Sequence, residues 1–153
     1  MNTFKKHSNK ILFVLGLMIT LTLLLPALIY DNLSYVGYEI TFGKELIDIN
    51  PFGLGSIASA HLGFSFLALL AYILPLVAGI IALASKKLAL ASLSLFVVST
   101  FLFMSLPANI DITYIVAGSS NTAAVDWQMA HGLFAAIILS LVAVFVSINQ
   151  LID

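Results

Sequence analysis

Residues 62–106 read LGFSFLALLAYILPLVAGIIALA, then SKK, then LALASLSLFVVSTFLFMSL in one-letter code. This stretch decides the fold. On either side of Ser85-Lys86-Lys87 lie apolar runs of 23 residues (62–84) and 19 residues (88–106), neither with Asp, Glu, Lys or Arg. A helix that crosses the hydrocarbon layer needs about 20 such residues, within a range of about 17–25. The short polar link cannot carry the chain across a bundle, so the two runs are expected as antiparallel neighbours. Working outward, residues 11–30 add a charge-free run of 20 and residues 132–148 one of 17. The expected fold is an all-α membrane protein, a four-helix transmembrane bundle in one domain spanning 1–153. The segments between the spans, 31–61 and 107–131, are expected to carry a small extracellular β-sheet or pair of hairpins.

Composition agrees. Of the 153 residues 61% are hydrophobic and 8% charged, and the mean hydropathy is +1.13. Soluble domains carry roughly 45–50% apolar and about 25% charged residues. A chain this short cannot bury the excess in one aqueous core, which leaves the lipid bilayer as its expected solvent. There is no Arg, and six Lys stand against seven acids, a balance that argues against nucleic-acid binding. With no Cys, thiol chemistry and cysteine–metal sites are excluded.

Charge predicts orientation. Lys5, Lys6, Lys10, Lys86 and Lys87 fall on one side of the four spans, and short Lys-rich segments stay cytoplasmic. Both termini are therefore expected inside a plasma membrane crossed four times. Asp31, Glu39, Glu45, Asp48, Asp111 and Asp126 then lie outside, with Lys44 as the single outer cation. A cleaved signal peptide is the rival reading of the first run. The run exceeds the about 7–15 residues of a signal core, and Leu25-Pro26-Ala27-Leu28 lacks a small-x-small cleavage site.

The first outer loop opens on alternation, with Val36, Tyr38, Ile40 and Phe42 on one face and Gly37, Glu39 and Thr41 on the other. Period two with aromatic and β-branched residues predicts a strand. Gly43-Lys44 is the expected turn, residues 45–49 the return strand, and Phe52-Gly53-Leu54-Gly55 an irregular loop after Asn50-Pro51. In the second loop, residues 111–116 and 122–127 are expected as strands about a turn at Gly118-Ser119-Ser120-Asn121. Trp127 is placed at the headgroup level before the fourth span. Lone hairpins are marginal in water, so the two are expected side by side, resting on the helix ends.

The halves echo one another. Leu25-Pro26-Ala27 matches Leu106-Pro107-Ala108, Glu39-Ile40-Thr41-Phe42 matches Asp111-Ile112-Thr113-Tyr114, and Ala60-His61-x-x-Phe64 matches Ala130-His131-x-x-Phe134. Chance in an apolar alphabet is one explanation. The other is a duplicated hairpin, 11–84 and 88–148, related by an axis along the membrane normal. His61 and His131 would then open diagonal helices at equivalent depth.

Those two histidines are the one constellation able to hold a cofactor, as axial haem ligands or part of a metal site. Two imidazoles rarely complete a metal site, and the plainer reading is a structural role in a first helical turn, with no cofactor. No Asp, Glu, Lys or Arg lies inside the spans, which argues against a pump or ion-coupled transporter. Ser65, Ser92, Ser94, Ser99, Thr100 and Ser140 are expected to bond backbone carbonyls or neighbouring helices. Pro75 should kink the second span and free the Ala71 carbonyl. Ala78-x-x-x-Ala82 and Ala136-x-x-x-Ser140 allow close helix approach. Motifs for a serine nucleophile, a phosphate loop or a zinc protease are absent. Asn32-Leu33-Ser34 is formally a glycosylation sequon, but the all-Lys, cysteine-free usage suggests a bacterial chain.

The stretch Val36-Gly37-Tyr38-Glu39-Ile40-Thr41-Phe42-Gly43 resembles small four-span proteins of Gram-positive bacteria and their wall-less relatives, which carry a similar outer strand. The resemblance implies the layout and no catalytic residue. The layout is also similar to claudin-type proteins, without their Trp and paired Cys. The expected function is thus non-enzymatic, an accessory or partner-binding subunit acting through its outer loops. Tyr35, Glu39, Thr41, Lys44, Asp126 and Trp127 are the candidate contacts to another membrane protein or a second copy. The alternatives are an electron-transfer protein using His61 and His131, and a small-solute channel or transporter subunit.

Overall fold

A computed structural model describes residues 2–50 and 57–152. The long helices are α1 (Asn2–Leu21), α3 (Phe66–Ala84), α4 (Ala89–Asn109) and α5 (His131–Leu151), with α2 (Gly37–Phe42) a short fifth. All four long helices are long and apolar enough to cross a membrane. They close a ring in which α1 and α4 each pack on both α3 and α5. Large apolar side chains such as Phe101, Ile138 and Phe145 are exposed on the outside of that ring.

Small residues and hydroxyls hold the ring. Gly16 of α1 lies against the Pro75 backbone and Gly79 of α3 against Leu12 and Phe13, spacings that a Cβ would crowd. Pro75 has no N–H to offer the Ala71 carbonyl, and the Ser99 hydroxyl of α4 donates to that oxygen at 2.9 Å. Thr20 of α1 donates to the Tyr72 carbonyl at 2.8 Å, and Ser92 of α4 to the Ala78 carbonyl at 2.9 Å. Each carbonyl is thereby satisfied from a neighbouring helix.

Several expected boundaries move. The first run is helical only to Leu21, with a 3-10 turn over Thr22–Leu24. The residue before a proline is pushed out of the helical region, and Leu25 is extended at φ −101°, ψ 156°. Residues 26–30, expected in the span, form strand β1 (Pro26–Tyr30). The second span starts at Phe66, capped by Ser65, whose hydroxyl accepts from the Ala68 N–H at 3.2 Å. His61 therefore lies in a strand, β4 (Ala58–Leu62), and not in a first helical turn. Helix α4 runs through Pro107 to Asn109 rather than stopping at 106.

Both connections at this end of the bundle fold into β-structure. Strand β1 pairs with β2 (Leu33–Val36) around Asp31-Asn32, both at positive φ, and on its other side with β7 (Gln128–Met129). The second sheet has the order β3-β4-β5-β6, with β3 (Lys44–Ile49) and β4 from the first connection and β5 (Asp111–Val116) and β6 (Ser119–Ala124) from the second. The two connections are thus joined in one antiparallel sheet, as expected. Its pairings are not those expected. Strand β3 returns onto β4, and the β5–β6 turn is Ala117-Gly118, so Ser119, Ser120 and Asn121 belong to the strand.

The largest correction concerns residues 37–42, which are a helix and not a strand. Ile40 and Thr41 are both buried, while Tyr38 and Phe42 are exposed. Thr41, expected on a solvent face, donates to the Gly37 carbonyl at 2.8 Å. The expected irregular loop Phe52-Gly53-Leu54-Gly55 lies outside the described residues.

Candidate functional site

The β-structured end, here the cap, is built around three rings. Trp127 is buried and its indole N–H donates to the Ile110 carbonyl at 2.7 Å. Tyr30 and Tyr35 meet it edge-on, with centroids 5.7 and 5.3 Å away. Such edge-to-face pairs fix ring positions beyond plain area burial. Trp127 therefore anchors the cap from inside and does not present its ring at the surface.

An ion pair stands beside the rings. Lys44 Nζ lies 5.8 Å over the Tyr35 ring and donates to Glu39 Oε1 at 2.7 Å. The other oxygen of that carboxylate, Oε2, accepts the Val36 N–H at 3.0 Å. The hydrogen bond to Glu39 raises the Lys44 pKa above its ordinary value. Short helix α2 positions Glu39, and Lys44 opens β3 directly after it. It begins at Gly37, where a Cβ would meet Tyr72 Oη at 2.6 Å, so α2 sits directly on α3.

Two concavities flank this cluster. The first, about 390 Å³, is lined mainly by Asp31, Ser34 and Tyr35 on one wall, Lys44–Ile47 on the other, and Ala60 and Ile112 at its floor. This is within the range of small ligand clefts, about 300–1,000 Å³. The second, about 460 Å³, is polar and lined by Asp31, Asn32, Asp126 and Gln128 with Tyr30 and Ile29.

Of the candidate contacts, Tyr35, Glu39, Thr41 and Trp127 are buried, whereas Lys44 and Asp126 are exposed. Tyr35 and Lys44 line the first concavity, and Asp126 the second. The contributions of Asp31, Glu45 and Leu46 were not singled out in the sequence. A β-bulge between Glu45 and Ile47 puts Leu46 out of register, and no sequence signal marks it.

The histidines are not brought into equivalent places. His61 is half-buried in β4, opposite Glu45 on one side and Thr113 on the other. His131 is the exposed first residue of α5. Phe64 and Phe134, three residues after each histidine, are both exposed. Among the described residues no group of three or more His, Cys, Asp or Glu could hold a metal ion. No family model, curated protein or solved structure matches this chain.

Proposed function

We propose that this is a non-enzymatic integral membrane protein that crosses the plasma membrane four times and binds a partner protein through its outer cap. The termini and Lys86-Lys87 lie on the cytoplasmic side in this reading, because the lysines collect there and the acids at the cap. The observation that carries it is the contrast between interior and cap. Between the helices the space is filled by side chains such as Ala71, Ala78, Ala82, Phe96, Phe103 and Ala136, all buried. At the cap a concavity with apolar, aromatic and carboxylate lining stays open. A surface of that kind suits recognition, while a packed bundle without internal charge gives a solute or proton no route.

Topology is tested with a Cys at Ser119, read by a membrane-impermeant maleimide on intact cells. Labelling before the membrane is broken is the expected result, and labelling only afterwards would overturn the orientation. Partner binding is tested by photocrosslinking from the cap and from the Lys86-Lys87 end. Adducts at endogenous expression are expected from the cap alone.

A further inference from the structure

We propose that helix α2 lies in the outer membrane–water interface, where Phe42 and Phe64 enter the lipid and hold this side of the cap to the bilayer. The inference rests on the membrane-crossing part of the proposed function and adds the lipid surface as a contact of the cap. On α2 only Tyr38 and Phe42 are exposed. They stand one helical turn apart and share a face. Gly37, Ile40 and Thr41 are turned inward and buried. The one charge of α2, Glu39, is buried as well, accepting hydrogen bonds from Lys44 and the Val36 N–H. The outward face of α2 is therefore aromatic and uncharged, with the Tyr38 hydroxyl as its polar tip.

What covers this face follows from what lies below it. Helix α2 is pinned to the start of α3 at two points. The Thr41 carbonyl accepts the Ser65 N–H at 3.0 Å, and Gly37 lies against the Tyr72 hydroxyl. The ring of Phe42 meets that of Phe64, with centroids 6.5 Å apart, and both residues are more than half exposed. Down the outside of α3, Phe66, Ile73, Val77, Ile80 and Leu83 are exposed at helical spacing, which makes one apolar stripe. In the membrane-crossing reading that stripe faces acyl chains. Phe64 and Phe42 prolong it past the helix start, through residues 62–66 that carry no charge. Rings left in water there would forgo about 25 cal/mol for each Å² of apolar surface, which lipid contact recovers. Amphipathic segments resting on a membrane settle about 5–10 Å into the boundary between headgroups and acyl chains, and a tyrosine with its polar tip suits that level. A protein over the same rings would have to displace lipid from the top of the α3 stripe, so lipid is the occupant.

The test uses the full chain in lipid nanodiscs. Because it contains no Cys, single nitroxides are placed by Phe42→Cys, Phe64→Cys, Leu141→Cys and Ser119→Cys. Leu141 is exposed midway along α5 and Ser119 is exposed on β6. Collisions with lipid-soluble oxygen and with a water-soluble nickel chelate report depth. Labels at the Phe42 and Phe64 positions should meet oxygen and lose most of the nickel collisions seen at Ser119. Their depth should be about 5–10 Å into the boundary, shallower than the label at Leu141. Phe42→Trp, which keeps a ring, should be quenched by lipids brominated near the top of the acyl chain, above the background that buried Trp127 gives in the unmodified chain. Nickel collisions at Phe42 and Phe64 equal to those at Ser119 would overturn the inference. Shielding of both labels from both reagents would overturn it too, since that marks a protein contact such as a second copy. The Leu141 label separates the inference from the reading beneath it. Oxygen at Leu141 with nickel at Phe42 and Phe64 removes the interfacial helix and leaves the four-span protein, and nickel at every site removes both.

Discussion

Glu39-Ile40-Thr41-Phe42 and Asp111-Ile112-Thr113-Tyr114 share one pattern, an acid, Ile, Thr and an aromatic ring. The first is a helix and the second a strand. The flanks make the difference. The first copy is entered through Gly37, which fits under Tyr72, and its Glu39 reaches back to the Val36 N–H at the helix start. It ends at Gly43, at φ +91°, whose N–H closes on the Glu39 carbonyl at 2.9 Å. The second copy is followed by Ala117-Gly118, both at positive φ, which return the chain onto β6. Two consecutive positive-φ residues make the tight turn that suits the twist of a hairpin. Alternation alone does not fix a strand. It becomes one where a turn delivers a pairing edge, and a helix where caps and a docking face are supplied instead.

Charging each face in turn should separate the two copies most strongly. A strand would bury Ile40 and expose Thr41, whereas the helix buries both. Ile40→Asp and Thr41→Asp should therefore each cost on the order of 3 kcal/mol, since both bury a carboxylate without a partner. The β5 counterpart of Thr41 is half-buried Thr113 on the polar sheet face, and Thr113→Asp should cost about 1 kcal/mol or less. Unfolding of the purified variants in mixed micelles reads the three values. A mild Thr41→Asp would mean that residues 37–42 are not held as a helix on α3.

The next two changes separate backbone preference from crowding. Gly43 combines φ +91°, ψ 158° with a Cβ position 2.6 Å from the Leu62 carbonyl. That dihedral region is essentially open to glycine alone, so Gly43→Ala should cost about 2–3 kcal/mol. Gly118 has φ +83° with nothing within 4 Å of its Cβ position. Gly118→Ala then pays the dihedral cost alone, about 1–2 kcal/mol. Equal losses at the two sites, by the same unfolding measurement, would mean that the Leu62 carbonyl moves aside freely.

What the sequence makes legible follows the same division. Helix number, the antiparallel pair about Lys86-Lys87, the Pro75 defect with its freed Ala71 carbonyl and the hydroxyl bonds between helices all come from local composition and spacing. Bundle packing obeys those rules except at Ser140, whose buried hydroxyl has no hydrogen-bond partner among the described residues. The Leu25-Pro26 stop and the Ser65 cap were also in the sequence, masked by apolar runs that continue past the helix ends into β1 and from β4. Cap pairings are not local. That β3 joins β4, that Trp127 reaches Ile110 and that Lys44 folds back on Glu39 depend on which edges the bundle brings together. The first concavity inherits this, since its walls come from two sheets. Tyr35 and Lys44 were found among its lining by residue type, while Asp31 and Glu45 gain their place from register alone.

The charged residue that opens each copy should show the smallest difference. Glu39 is buried and paired with Lys44, whereas Asp111, its counterpart, is exposed and has no ion-pair partner among the described residues. The Lys44 side chain is 44% exposed, so solvent screens the pair, and its coupling should be only about 0.5 kcal/mol. A double-mutant cycle of Glu39→Gln and Lys44→Met isolates it, because Gln keeps an oxygen for the Val36 N–H while losing the charge. The pH dependence has a fixed sign. The hydrogen bond to Glu39 raises the Lys44 pKa, so the contribution is complete below the ordinary lysine value of about 10.4 and is lost as pH rises through the folded value. The cycle measured near neutrality should give the full coupling, and repeated in strongly alkaline buffer or high salt it should fall toward zero. Glu39→Ala should exceed Glu39→Gln by about 1 kcal/mol, the worth of the lost backbone bond, and Asp111→Ala should match Asp111→Asn. If Glu39→Ala and Glu39→Gln are equal instead, the carboxylate does not start helix α2, and the contrast between the two copies must come from Gly37 and Gly43 alone.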